Sequence, residues 1–201
     1  MKTLLLTGFE PFLDFPINPT NQIVKELKSE ELNGYRIEGR ILSVDYNNSG
    51  REILEHIYEV EPDAVLSLGL AAGRYKITPE RITINCNESN EKDNEGNTPD
   101  GDPIQKEGPD GLFSTLPIKR FVEDLQARGY PAEVSNTAGT YLCNHVMYQV
   151  LYHFHVNDQK VPAGFVHIPA SHDLAVQHGK LPSWSQKDLT DAVKHIIQLL
   201  P

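Results

Sequence analysis

The residues best suited to chemistry lie in the run Ser135-Asn136-Thr137-Ala138-Gly139-Thr140-Tyr141-Leu142-Cys143-Asn144-His145. Small and polar residues make a turn, and a helical pattern begins at about residue 141, so Cys143 falls where a helix starts. A helix N-terminus carries partial positive charge and unpaired N–H donors. Both favour a thiolate, and the same donors can later hold the oxygen of a tetrahedral intermediate. Cys143 is therefore the candidate nucleophile, and its base has to come from elsewhere in the chain.

Gly164-Phe165-Val166-His167-Ile168-Pro169 reads as an apolar strand that delivers His167 at its exit, with Pro169 closing it. An isolated histidine in such a place is more often a structural residue; beside a candidate thiol in an α/β fold the two readings, structural residue and base, stand about level. A base of this kind needs a carboxylate or amide to fix its tautomer. Thr78-Pro79-Glu80-Arg81-Ile82 puts Glu80 at the mouth of another strand, where it suits that task; a solvated pairing with Arg81 accounts for it equally well. Residue chemistry alone leaves both open.

Competing motifs fail. Gly69-Leu70-Ala71-Ala72-Gly73 follows a strand but is neither a Walker A loop nor a full dinucleotide fingerprint. There is no Gly-x-Ser-x-Gly elbow. Ser171-His172-Asp173 are contiguous, unlike a triad, and read as coincidence; His153 and His155 fall on different faces of a helix. The polar segment 87–111 is too long for a simple connection and reads as an ordered surface loop or a flexible excursion. It is not a calcium loop: the twelfth position is Ile104 counting from Asp93 and Gly111 from Asp100, where a bidentate glutamate belongs.

The elements that must position these residues alternate. Strands are expected at Lys2 to Thr7, Tyr35 to Val44, Asp63 to Leu68, Arg81 to Cys86, 132–136 and 163–168. Helices are expected from Pro19, over 47–60, from Pro117 to Gly129, over about 141–155, and after Ser185. This order argues for an α/β sandwich with a largely parallel sheet, whose working residues gather at the carboxyl ends of strands. The 201 residues, 39% hydrophobic and 23% charged, fit one domain, 1–201, with the elaborated loop at about 87–111.

A net charge of −10 gives no electrostatic reason to approach nucleic acid or an anionic membrane. The apolar run Leu4 to Leu6 is too short for a signal-peptide core, and no stretch is long enough to span a membrane. With two cysteines, the expectation is a reducing cytoplasm, the alternative being one Cys86–Cys143 disulfide.

Three stretches in this order resemble the pyroglutamyl-peptidase I (pyrrolidone-carboxylate peptidase) family of cysteine peptidases. They are Gly69 to Ile82, Ser135 to Tyr148, and Gly164 to Pro169. Thr7-Gly8-Phe9-Glu10-Pro11-Phe12 with Asn18-Pro19, and Asp93 to Asn97 with Pro99, are similar to it as well. The resemblance implies a three-layer α/β/α sandwich around a largely parallel mixed sheet, with Cys143 as nucleophile, His167 as base and then acid, and Glu80 as orienter. It implies Phe9, Phe12 and Asn18 as substrate-binding residues, with core packing the alternative for the two phenylalanines. It further implies no metal or organic cofactor, commonly a homotetramer, and peptides blocked by N-terminal pyroglutamate as substrates.

Four positions depart from the family pattern. Leu13 stands where Gly is usual, so the loop after Phe12 is expected to run differently, and Leu70 replaces a common Gln, which bears on any amide contact to the lactam. Asn90 replaces a common Arg, and Thr83 a common Ala, the latter reading as a packing variation. Two other classes remain to be weighed: a non-catalytic α/β binding protein, and a cysteine amidohydrolase for another small cyclic amide.

Overall fold

Leu4 and Leu6 of the first strand enter one apolar cluster, and Leu5 enters another on the opposite face of the sheet. This is the period-two alternation of a strand buried on both sides, and it sets the layering of the computed structural model, which describes residues 1–201. The first half of the chain runs β1 (Lys2–Phe9), α1 (Pro19–Leu27), β2 (Glu31–Leu32), β3 (Tyr35–Leu42), α2 (Ser49–Val60), β4 (Ala64–Leu70) and β5 (Thr78–Pro79). Four short strands follow, β6 (Ile82–Ile84), β7 (Asn87–Glu88), β8 (Asp100–Asp102) and β9 (Gly111–Phe113). The remainder is α3 (Ile118–Ala127), α4 (Leu142–Val156), β10 (Ala163–Ile168), β11 (Ala170–Ser171), α5 (His172–His178), β12 (Ser183–Trp184) and α6 (Gln186–Gln198).

The main sheet has the order β2-β3-β1-β4-β10-β5. Its four central strands are parallel, and the two-residue edges β2 and β5 are antiparallel to their neighbours. Ile23 and Leu27 of α1, Phe121 and Leu125 of α3, and Leu189, Val193 and Ile196 of α6 pack on the face that carries Leu4, Leu66 and Val166. Ile53 and Ile57 of α2 and Val146 and Val150 of α4 cover the face of Leu5, Val65 and Phe165. The result is the α/β/α sandwich with a largely parallel sheet. No helix is long and apolar enough to cross a membrane.

Two expected strands differ. The segment expected as Arg81 to Cys86 shortens to β6, which pairs with β9 outside the main sheet. The segment 132–136 forms only isolated bridges, Ile77 with Ala132 and Glu80 with Ser135. Ile77 gives its N–H to Pro131 and accepts from Glu133, and Pro79 accepts from Ser135. The N–H that would continue the ladder back to Glu133 is the one proline lacks, so the ladder breaks at Pro79.

Segment 87–111 is ordered around the β7–β8 pair and a turn built on Asp93. The Asp93 carboxylate accepts from the backbone N–H groups of Tyr46, Glu95 and Asn97. Ser171 proves to be the N-cap of α5, accepting from the Leu174 N–H, while His172 pairs with Ser183. Leu13 has a left-handed backbone (φ 51°), the conformation for which glycine is the natural residue.

Candidate active site

Cys143 is the second residue of α4. The chain enters that helix through Gly139, whose φ of 79° needs a glycine, and through Tyr141 at the N-cap. A tyrosine is a poor cap, and its side chain makes no capping hydrogen bond. The N–H groups of Leu142, Cys143 and Asn144 accordingly find no acceptor in the chain. The positive end of α4 is left open at the sulfur.

The next residue fixes the helix start. Asn144 Oδ1 accepts from Thr83 Oγ1 (2.7 Å) and from the Ile84 N–H (2.9 Å), and Nδ2 donates to the carbonyls of Ile84 and Cys86. Thr83 is fully buried, and its hydroxyl also lies 2.9 Å from the Asn144 carbonyl. Thr83 is therefore a hydrogen-bonding residue tied to the first turn of α4, not the mere packing variation expected. Sequence reasoning missed Asn144, whose only signal was its place beside Cys143.

His167 reaches the same spot through strand alternation. Val166 and Ile168 enter one apolar cluster, and Phe165 and His167 face the α4 side. In the β4–β10 register His167 lies opposite Gly69. A Cβ on Gly69 would sit 2.6 Å from the Phe165 ring and 2.9 Å from Cys143 Sγ, so only glycine leaves room for the thiol. The antiparallel edge strand β5 lies on the other side of His167 and brings Glu80 alongside. His167 Nδ1 and Glu80 Oε1 are 2.7 Å apart, which leaves Nε2 available to Cys143, with which His167 lines one cavity. Burial works against the imidazolium, but the charge and hydrogen bonding of Cys143 and Glu80 outweigh it and hold His167 up at about 9.

Glu80 is completely buried and has a second partner, Arg74 Nη1, 3.0 Å from the same Oε1. Arg81 instead donates from Nε to Asn136 Oδ1 at 2.7 Å, so the solvated Glu80–Arg81 pairing is not the arrangement present. Arg74 carried no signal in the sequence beyond membership of the Gly69 to Ile82 stretch.

A cavity of about 180 Å³ opens over Cys143 and His167. Phe9, Phe12, Val44, Leu70, Ala138 and Tyr141 make it strongly apolar. Phe9 serves wall and core together, being 3% exposed and packed against Phe165. Phe12 is less buried and leans on Tyr141. Asn18 borders the cavity, but its Oδ1 accepts from the N–H and Oγ1 of Thr20, capping α1, and its Nδ2 donates to the Glu10 carbonyl. Leu70 offers the cavity no polar group, and Asn90 is exposed.

Both cysteines are free, so there is no Cys86–Cys143 disulfide. Burial and the carboxylates of Glu88 and Asp102 push the Cys86 thiol up. His145 is nearly buried, bonded through Nδ1 to Asn87, and lowered by burial to about 4, so it stays neutral in ordinary buffers.

Comparison with known proteins agrees with this architecture. A family model described as pyroglutamyl peptidase matches residues 1–200. The chain is 52% identical over 200 residues to a pyrrolidone-carboxylate peptidase of Oceanobacillus iheyensis, covering 100% of both chains. It is 54% identical over 198 residues to that of Lysinibacillus sphaericus, covering 98% of this chain and 96% of the relative. The solved pyrrolidone carboxyl peptidase of Thermococcus litoralis superposes with a TM-score of 0.95 at 34% identity, covering 100% of this chain and 93% of that one. A mutant pyrrolidone carboxyl peptidase of Pyrococcus furiosus gives 0.95 at 37% identity, covering 98% of this chain and 97% of that one. The chain belongs to the pyroglutamyl peptidase family of cysteine peptidases.

Proposed function

We propose that this protein removes the N-terminal pyroglutamyl group from peptides, with Cys143 as nucleophile, His167 as base and acid, and Glu80 as the group that holds the imidazole. The observation that carries the reading is Cys143 at an uncapped helix N-terminus, beside a histidine whose Nδ1 lies 2.7 Å from a buried carboxylate. His167 Nε2 takes the thiol proton, and the sulfur attacks the pyroglutamyl carbonyl. The open N–H groups at the start of α4 hold the oxyanion, each such donor contributing about 3 kcal/mol in comparable sites. His167 then gives its proton to the leaving amine as the C–N bond breaks. It next takes a proton from water, which attacks the thioester; free pyroglutamate departs and the thiol is restored.

The apolar cavity suits a flat, uncharged lactam, with Phe9 and Phe12 against the ring and Asn18 bordering it. The whole chain, 1–201, acts as one domain in this reading, since both apolar clusters share one sheet. Two free cysteines support a reducing, cytoplasmic setting. Exposed Tyr58, Phe113 and Val156 supply apolar surface that a homotetramer would cover. Light scattering that returned a monomer would overturn the tetramer.

Release of a fluorophore from a pyroglutamyl amide, by the wild type and by Cys143→Ala, tests the activity. Turnover that disappears in the variant is the expected result; turnover that survives rejects the nucleophile, and none by the folded, reduced wild type rejects the substrate.

A further inference from the structure

Glu80 has 0% of its side chain exposed, and both donors it meets, His167 Nδ1 and Arg74 Nη1, converge on Oε1. Its other oxygen, Oε2, is buried without a partner. A buried carboxylate without a counter-charge protonates rather than remain an anion. His167 can be that counter-charge only while it is an imidazolium. In the reaction proposed above, His167 surrenders its proton to the leaving amine, and at that moment the pair loses its positive member.

Arg74 does not share this weakness, because a guanidinium keeps its charge at every accessible pH. The loop between β4 and β5 is shaped to deliver it. Gly73 takes a φ of 98°, the Arg74 N–H closes a turn on the Ala71 carbonyl, and Nη1 reaches both Thr78 Oγ1 (2.7 Å) and Glu80 Oε1 (3.0 Å). The charged and titratable groups around the carboxylate are Arg74 from this loop, His167 from β10 and, through His167, Cys143 from α4. Arg81, the adjacent cation in the chain, is turned away to Asn136.

We propose that Arg74 is a positioning residue for the reaction, the permanent counter-ion that keeps Glu80 ionised and aimed at His167 while the charge of His167 comes and goes. The role rests on the Cys143–His167–Glu80 assignment, and it acts through Glu80 without contact to substrate.

The test compares wild type, Arg74→Gln and Arg74→Lys by the pH dependence of kcat/KM on a pyroglutamyl amide. In parallel, it follows the pH dependence of Cys143 alkylation by iodoacetamide, which needs no peptidase activity. In Arg74→Gln, kcat is expected to fall roughly tenfold or more with little change in KM, as for loss of a group that orients a catalytic one. The acid limb of both profiles should rise by about one pH unit, because Glu80 loses its permanent cation. Arg74→Lys should restore most of kcat and return the acid limb. A uniform loss of rate with an unmoved acid limb would overturn the proposal, as would wild-type behaviour in Arg74→Gln or no recovery in a folded Arg74→Lys. If the wild type alkylates at Cys143 but does not turn over the amide, the substrate assignment fails while the alkylation profiles still decide the role of Arg74.

Discussion

Gly69 lies directly beneath Cys143: a methyl group on its α-carbon would stand 2.9 Å from the sulfur and 2.6 Å from the Phe165 ring. The thiol occupies space that the sheet leaves free only because β4 carries no side chain at this position. A glycine in a strand interior ordinarily weakens the strand, so its presence here answers to that close approach.

Gly69→Ala should therefore push Cys143 or Phe165 aside and cut kcat by about a hundredfold, the usual effect of a 1 Å misplacement of a reacting group. The far-ultraviolet circular dichroism should stay that of a folded α/β protein. Near-normal turnover would show that the thiol can relocate without penalty.

Thr83 ties the first turn of α4 to β6 through Asn144. Thr83→Val keeps the shape and removes the hydroxyl, so urea denaturation should show a loss of about 1 kcal/mol, as for one buried hydrogen bond. Thr83→Ser should recover most of it. Activity should survive in both, because Asn144 Oδ1 retains the Ile84 N–H.

His145 makes stability sensitive to acid. Its folded pKa is depressed to about 4 from an ordinary value of 6.5, so the neutral form is the folded one. The stability this represents is fully present above pH 6.5 and is lost as pH falls through 4, up to about 3 kcal/mol. Thermal unfolding followed across that window, in wild type and in His145→Gln, should show a smaller acid loss in the variant. Parallel curves would locate the acid sensitivity elsewhere.

His167 acts in the opposite direction. Raised from 6.5 to about 9, it contributes stability that is present below pH 6.5 and lost as pH climbs through 9. The histidine proton signals, followed by NMR, should include one resonance that titrates well above the others and disappears in His167→Gln. A titration of that resonance near 6.5 would refute the imidazolium assignment.

Leu13 sits half-exposed at φ 51° in the loop that carries Phe12. Leu13→Gly should relieve backbone strain of about 1 kcal/mol, offset in part by the greater freedom of glycine in the unfolded chain. A net gain or no change in the denaturation midpoint is expected. A loss larger than about 1 kcal/mol would mean that the Leu13 side chain holds the loop.

Much of this was readable from residue pattern because the central strands are buried on both faces and the helices are amphipathic. Runs such as Leu4 to Leu6 and Ala64 to Leu70 carry that burial openly, and the α1 and α6 stripes repeat at helical spacing. What escaped were features made by long-range contact. Segment 132–136 has strand-like residues but meets a partner interrupted at Pro79. The partner of Glu80 stayed open for a similar reason: Arg81 is adjacent in sequence, yet on an extended chain neighbouring side chains point opposite ways. Arg74, six positions away, folds back across the loop to reach the carboxylate. Asn18 borders the cavity as the motif led one to look for, while its commitment to the α1 cap appears only once Thr20 is placed.

Pro79 has a further effect at the border of the sheet. The main sheet stops on one side at the two residues of β2 and on the other at the two residues of β5, and an exposed sheet margin is where a second chain can add its own strand. At β5 the row of donors is cut by proline, and residues 131–135 already lie along it. The Glu80 carboxylate, paired with His167, can thus sit just past this short strand, fully buried, without the margin offering neighbouring molecules a template for aggregation.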